Sequence, residues 1–153
     1  MNSQSGSSRN WTSVPKDMTL ENITRDAGRR VMNELMGEGY VEAKDAKRNS
    51  FSGVLDDYAE EVCYGRIWSR EGIDRKTRSI VNIAVLTALN RSHSLGLHVQ
   101  AAIANGCSVV ELREILLQTA VYCGLPAAGE AFKVAEEVLR TRHLLEQLQP
   151  EPK

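Results

Sequence analysis

The chain has 153 residues, a formal net charge of −1 and three cysteines without a CxxC pair. This length fits one domain, and the charge provides neither the basic surface of a nucleic-acid-binding protein nor a polybasic patch for anionic lipid. The N-terminal residues lack the apolar stretch of a signal peptide, and no apolar run approaches the ~18 residues of a membrane span. Unpaired cysteines are typical of a reducing compartment. We therefore expect a cytoplasmic protein with no nucleic-acid or membrane partner.

The N-terminal region is rich in Ser and Asn and contains Pro15. We interpret residues 1–22 as a polar flexible arm, 23–148 as a single helical domain and 149–153 as a polar tail. The first helix is predicted to begin at Thr24, which can cap it.

A longer amphipathic helix is predicted from about Ser52. It places Glu60 and the neighbouring acidic residues on the side facing solvent. Its inward face is predicted to contain the apolar residues Leu55, Tyr58, Ala59, Val62, Cys63 and Ile67.

Two helical patterns follow, separated by a short polar turn. Asp74 is a plausible N-cap for the first, and the run 80–89 is apolar on nearly every side, as in a helix buried within a core. The second carries His98 in the middle of its apolar stripe and ends at Gly106. A titratable ring at a position where leucine is expected is the most distinctive chemical feature of the chain.

The last two helices have clear boundaries. Ser108 and Glu111 form a capping box, Gly124 stops the first of the two, and Pro126 suits the first turn of the second. No segment alternates in the manner of a strand, so we predict an all-α bundle of about six helices. The apolar central helix and the small residues near Ala128 predict further burial in a homo-oligomer.

Several kinds of site are disfavoured by spacing. His93 and His98 are about 140° apart around a helix, and no HExxH or Cys/His cluster accompanies them, so no metal site is predicted. No glycine-rich phosphate loop or nucleophile elbow is present. A lone cysteine such as Cys107 or Cys123 is more often a small hydrophobic residue than a catalyst.

Three polar residues lie within apolar helices and remain ambiguous from the pattern alone. His98 is either a satisfied core residue or a functional group. Arg78, when partly buried, needs an anionic partner, which is either a protein carboxylate such as Glu71 or a substrate. The amide of Asn82, when buried, likewise needs a hydrogen-bond partner, which is either a protein group or a substrate.

These residues lie in segments that resemble the carboxymuconolactone decarboxylase family, specifically its γ-carboxymuconolactone decarboxylase branch with the alkyl hydroperoxidase D-like fold. The resemblance covers about residues 31–139. The segments are YGRIWSREGIDRKTRSIVNIAVLTALNR, LHVQAAIANGCSVVELREILLQTAVYCGLPAAGEAF and KVAEEVL.

The peroxidases of this fold have a CxxC and, after three further residues, a His. When the alignment is made on His98, the cysteine positions hold Arg91 and Ser94, and the position of the family's glutamate lies near Ser79. Without the thiol pair, reduction of peroxides through a disulfide relay has no chemical means.

The resemblance implies decarboxylation of γ-carboxymuconolactone to β-ketoadipate enol-lactone, in the protocatechuate branch of aromatic catabolism. No cofactor is expected, because the electron pair left by the carboxylate can delocalise onto the lactone carbonyl. His98 is then the candidate donor or general acid, and Arg78 holds charge in the site. Further candidates for substrate binding are Arg75, Glu71, Tyr122 and Cys123. The resemblance also implies a homo-oligomer, often a hexamer, with an active site that subunits can share.

Two other functions remain open at this stage. One is a protein that handles peroxides or thiols through a lone cysteine, Cys107 or Cys123. The other is a helical oligomer without catalytic activity that binds an aromatic-derived acid or packs with a partner.

Overall fold

A computed structural model describes residues 19–148, and these form helices and turns without a strand. The all-α prediction is confirmed for this part of the chain, within which no helix is long and apolar enough to span a membrane. Residues 1–18 and 149–153, most of the predicted arm and the whole predicted tail, lie outside it. The helices are α1 (Leu20–Met36), α2 (Tyr40–Asp45), α3 (Gly53–Tyr58), a π-helix (Ala59–Trp68), α4 (Arg75–Ala88), α5 (Ser92–Ala104), α6 (Val109–Cys123), α7 (Leu125–Thr141) and a 3₁₀ turn (Leu145–Gln147).

Helix α1 begins earlier than predicted. Thr19 is the N-cap, and its side chain accepts a hydrogen bond from the Asn22 amide, whereas Thr24 bonds back to the Leu20 carbonyl at 2.7 Å. A threonine hydroxyl can cap a helix by accepting a bond from a backbone N–H, or it can donate to the carbonyl four residues earlier. The N-cap is therefore the threonine that immediately precedes the helical backbone. Residues 20–22 are therefore helical and are not part of an arm.

The predicted inward face of the α3 segment is partly wrong. Leu55, Tyr58 and Ile67 are exposed, while Glu60, expected in solvent, is completely buried. The π-helix begins at Ala59 and widens each turn, so it rotates Glu60 and Ile67 away from a 3.6-residue pattern. Leu55 and Tyr58 precede it and are exposed within α3.

Buried Glu60 is surrounded by cations. Its carboxylate receives Arg25 Nε at 2.8 Å, Lys44 Nζ at 3.2 Å and Arg29 Nη1 at 3.3 Å. Burial by itself would raise the pKa of Glu60, but the hydrogen bonds from Arg25 and Lys44 lower it below its ordinary value. This cluster joins α1 and α2 to the π-helix.

Close backbone contact between α1 and the π-helix requires glycine. A Cβ atom on Gly28 would lie 1.8 Å from the Glu60 carbonyl oxygen, and one on Gly65 would lie 2.3 Å from the Thr24 carbonyl oxygen. Neither position can accept a side chain without displacement of the other helix.

The main core lies between α4, α5, α6 and α7. Ile83, Leu95, Val99 and Leu112 are at most 1% exposed there. Helix α4 is not buried on nearly every side, however, because Val81, Val85 and Leu89 form a stripe that is 48–60% exposed. The prediction of a wholly buried helix is wrong for the single chain.

The predicted boundaries of the later helices are confirmed. Ser108 and Glu111 form both bonds of the capping box, at 3.1 and 2.8 Å. Gly106 and Gly124 adopt φ values of +86° and +85°, which favour glycine after a helix. These two turns join α5 to α6 and α6 to α7, while the turn between α4 and α5 contains Asn90 at a φ of +54°.

Candidate active site between α4 and the π-helix

Helix α4 presents two polar side chains on one face. Asp74 caps the helix by accepting a hydrogen bond from the Thr77 amide at 2.6 Å, as predicted. Arg78 and Asn82 then follow at a spacing of four residues, which places them on the same face, one turn apart. The face is directed toward the π-helix and α5.

These residues border a cavity of about 200 Å³. Its lining residues are Ile67, Trp68, Ile73, Arg78, Val81 and Asn82. Four of the six are apolar, Arg78 is the only charged one, and Asn82 supplies an uncharged amide. A small pocket with apolar walls and a cation suits an organic anion of limited size.

Arg78 has unused hydrogen-bonding capacity within the described residues. Its Nη2 donates to the Arg70 carbonyl at 3.0 Å. Its Nε is buried and has no hydrogen-bond partner among residues 19–148. Since a buried guanidinium donor without an acceptor is costly, this geometry is more consistent with an arginine that binds an anionic ligand than with a purely structural one.

His98 contacts the wall of the cavity without being one of the lining residues. Its Nδ1 lies 3.4 Å from Asn82 Nδ2, and its ring stacks on Trp68 with centroids 6.2 Å apart and planes inclined by 26°. Burial lowers the pKa of His98 below its ordinary value of 6.5. The ring is therefore neutral at pH 7 and carries one N–H donor.

The structure brings His98 and Arg78 to the same cavity but leaves the other predicted residues elsewhere. Arg75 forms an ion pair with Glu34 of α1. Glu71 is exposed in the turn before α4. Tyr122, 81% exposed, and Cys123 lie at the end of α6, where neither lines this cavity within one chain.

Two of the three thiols, those of Cys63 and Cys107, offer little reactivity. Cys107 is buried, and burial raises the pKa of its thiol, as it does for Cys63. A higher pKa means less thiolate, which is the nucleophilic form. Among residues 19–148, no group of three or more His, Cys, Asp or Glu side chains is arranged to hold a metal ion.

Two residues of the site were not predicted. Trp68 gave no signal beyond its place in the YGRIWSR segment, because its stacking on His98 depends on the π-helix. The sequence marked Asn82 only as a polar amide within an apolar run. The contact between its side chain and His98 explains why an amide occurs there.

Residues 55–137 match the Carboxymuconolactone decarboxylase family. The chain belongs to this family. It is 39% identical over 113 residues to the 4-carboxymuconolactone decarboxylase of Acinetobacter baylyi, an alignment that covers 74% of this chain and 84% of that protein. It is also 34% identical over 129 residues to nitrosuccinic acid decarboxylase npaB of Metarhizium robertsii, which covers 82% of this chain and 90% of that protein.

Proposed function

We propose that this member of the family is a carboxy-lyase that converts γ-carboxymuconolactone to β-ketoadipate enol-lactone without a cofactor. The observation that carries the proposal is the partly buried Arg78 side chain, whose buried Nε lacks a partner among residues 19–148 and which borders a cavity beside Asn82 and His98. The similarity to the Acinetobacter baylyi enzyme supports this choice of substrate.

The reaction needs little from the protein beyond binding and charge stabilisation. As the C–C bond to the carboxylate breaks, its electron pair moves through the ring alkene onto the lactone carbonyl oxygen, and CO₂ leaves. A proton from solvent then adds to a ring carbon to give the enol-lactone. The protein therefore has to orient the dianion and stabilise the negative oxygen of the dienolate.

Arg78 is suited to hold the carboxylate that remains on the substrate. Nε and one Nη of a guanidinium form a fork that matches the two oxygens of a carboxylate, and Nε is the atom left without a partner. Once a second copy covers them, the half-exposed apolar walls formed by Ile67, Ile73 and Val81 would exclude water around the carboxylate that leaves.

The pair formed by His98 and Asn82 is suited to stabilise the developing oxygen. Since burial lowers the pKa of His98, the ring is a hydrogen-bond donor rather than an acid at neutral pH. A neutral donor in a dry site stabilises an oxyanion strongly, because it needs no reorganisation during the reaction. Of the two roles predicted for His98, this favours the donor and disfavours delivery of the proton.

The substrates named for the two relatives share several chemical features. Each substrate, the carboxylactone and nitrosuccinic acid, is a dicarboxylic acid that loses one carboxylate next to an electron-accepting group. In each case a second carboxylate remains, and negative charge moves to oxygen. Arg78 and the His98–Asn82 pair fit both substrates, and nitrosuccinate is therefore the comparison substrate for the assay.

We also propose that the chain forms a homo-oligomer that completes this site. Three lining residues, Ile67, Ile73 and Val81, are 45–51% exposed, and the exposed stripe of α4 continues from them. A second copy that covered this stripe would close the cavity toward solvent. A hexamer is one such assembly, and in it Tyr122 or Cys123 of a neighbouring copy can approach the substrate.

The test is an ultraviolet assay of the purified protein with γ-carboxymuconolactone generated in place from carboxymuconate, beside a parallel assay with nitrosuccinate. We expect saturable turnover of the lactone without added metal or cofactor and slower turnover of nitrosuccinate. Preferential turnover of nitrosuccinate would refute the proposed substrate. Saturable binding without turnover of either compound would instead favour a ligand-binding protein, and activity abolished by a thiol-blocking reagent would favour the thiol mechanism.

A further inference from the structure

Asn82 lies between the cavity and the histidine. Its side chain lines the cavity, and its Nδ2 is 3.4 Å from His98 Nδ1. Trp68, the other lining residue in contact with His98, stacks on the ring face and forms no hydrogen bond with it within the described residues. Asn82 is therefore the residue that determines which ring nitrogen carries the proton.

We infer that Asn82 is a positioning residue that holds His98 as the neutral tautomer with its proton on Nε2. An amide nitrogen donates and does not accept, so the facing Nδ1 must accept with its lone pair. A neutral imidazole carries one proton, which is then on Nε2. The catalytic consequence rests on the proposed function, in which His98 donates to a developing oxyanion.

The arrangement has a clear energetic preference. If the proton moved to Nδ1, two N–H groups would face each other in a largely buried site, and both donors would lose a partner. The cost of an unsatisfied buried donor favours one tautomer by roughly fivefold to a hundredfold. Trp68 adds a restraint on the orientation of the ring, so the direction of the Nε2–H bond is fixed as well as its identity.

The inference is tested by the ¹⁵N spectrum of protein labelled at the histidine rings, since protonated and unprotonated ring nitrogens have clearly separated shifts. His93 and His143 also contribute, and comparison with His98→Gln identifies the signals of His98. In the wild-type protein above pH 7, we expect an unprotonated Nδ1 and a protonated Nε2. A protonated Nδ1 would overturn the inference and show that the amide faces the ring through its oxygen.

Two substitutions sharpen the test. Asn82→Asp replaces the donor by a carboxylate, which can only accept, so we expect the proton to appear on Nδ1. Asn82→Leu removes the hydrogen bond, and the two tautomers should become mixed. Asn105→Leu is the matched control, because that amide also joins α4 and α5, by bonds to the Ser79 hydroxyl and the Arg75 carbonyl, and does not contact His98. Unchanged His98 signals in Asn82→Asp, or equal changes in Asn105→Leu, would refute the role of Asn82.

The kinetic test separates this inference from the proposed function. With the lactone as substrate, Asn82→Leu should lower kcat by roughly 10-fold, part of the 10²-fold or more expected for loss of the histidine itself. If the wild-type protein does not turn over the lactone, the proposed function fails, while the ring spectra still decide the tautomer. If kcat is unchanged although the tautomer is lost, His98 does not act through Nε2.

Discussion

In the proposed site, Arg78 is the residue that would hold the substrate most directly. It is held in place by its bond to the Arg70 carbonyl, and its buried Nε is left for a ligand. Arg75, one turn earlier, is already paired with Glu34. The two arginines of the DRKTRS segment therefore have different roles, although both were predicted to bind substrate.

We expect Arg78→Met to lower kcat/KM for the dianionic lactone by roughly 10-fold or more, since a hydrogen bond to a charged group contributes about 1.5–3 kcal/mol. Arg66→Met is the control, because Arg66 is exposed, pairs with Glu61 and lies outside the cavity lining. Since a surface ion pair contributes little free energy, its loss should change kcat/KM by less than about twofold. Steady-state kinetics measures both. A larger loss of kcat/KM in Arg75→Met than in Arg78→Met would indicate that Arg75 holds the substrate carboxylate, and it would contradict the assignment to Arg78.

The protonation state of His98 predicts the acid side of the pH profile. Because folding lowers the pKa of this ring below 6.5, the ring gains its proton only as the pH falls below that value. Activity that needs the neutral ring should therefore persist at pH 6.5 and decrease at lower pH. The same shift contributes stability above pH 6.5 that is lost as the pH falls through the folded-state pKa. Measurement of kcat/KM against pH tests this, and an acid limb above pH 6.5 would contradict it.

His98 and Arg78 could be predicted at the residue scale because each is a polar residue in an apolar helix within a recognisable family segment. The contacts of Asn82 and Trp68 could not, since they depend on how closely their helices approach His98, which is 16 residues from Asn82 and 30 residues from Trp68 in the chain. The pattern marked Asn82 as unusual without showing what its amide would face.

The π-helix is the element that determines where Trp68 lies. Its first turns are held by Glu60 and the cations of α1 and α2, and its backbone touches α1 at Gly28 and Gly65. Its last residue, Trp68, stacks on His98. A change in the packing of α1 therefore alters the wall of the cavity.

Gly28→Ala tests this contact. The new methyl group would overlap the Glu60 carbonyl oxygen, so we expect a loss of about 2–3 kcal/mol in the free energy of unfolding, or failure to fold. Gly129→Ala is the matched helical control. A Cβ there has no neighbour within 4 Å, and alanine should stabilise helix α7 by up to about 1 kcal/mol. Urea unfolding measures both, and Gly28→Ala as stable as the wild type would contradict the close packing.

Helices with strong end signals were predictable, and the π-helix was not. Ser108, Glu111 and the glycines at 106 and 124 act through local backbone geometry, which a sequence pattern contains. The extra residue in each turn of residues 59–68 has no comparable local signal. We attribute it to the demand that Glu60 reach three cations while Gly65 lies against α1, and this demand exists only in the folded chain.

At the scale of the whole molecule, the exposed stripe on α4 departs from the predicted burial of this helix. Val81, Val85 and Leu89 recur every four residues, so they form one apolar surface. The sequence predicted burial on this side, and a single chain does not supply it. The proposed second copy would cover this surface and so account for the pattern.

Val85→Asp should therefore weaken assembly. A carboxylate in an apolar interface loses its hydration without a partner, so we expect a smaller particle by sedimentation or size-exclusion chromatography and an increase in KM if the cavity opens. Lys47→Asp, at an exposed position after α2, is the control and should leave the particle size unchanged. A wild-type protein that is monomeric at micromolar concentration would exclude the proposed oligomer.

The rate of lactone decarboxylation by His98→Ala, compared with that of the wild-type protein in the same ultraviolet assay, is the most direct test of the proposed site. We predict a rate lower by roughly 10²-fold or more, the scale of a lost acid–base or donor group, with the helical circular dichroism signal unchanged. A rate within a few-fold of the wild type would contradict the assignment and remove His98 from the mechanism.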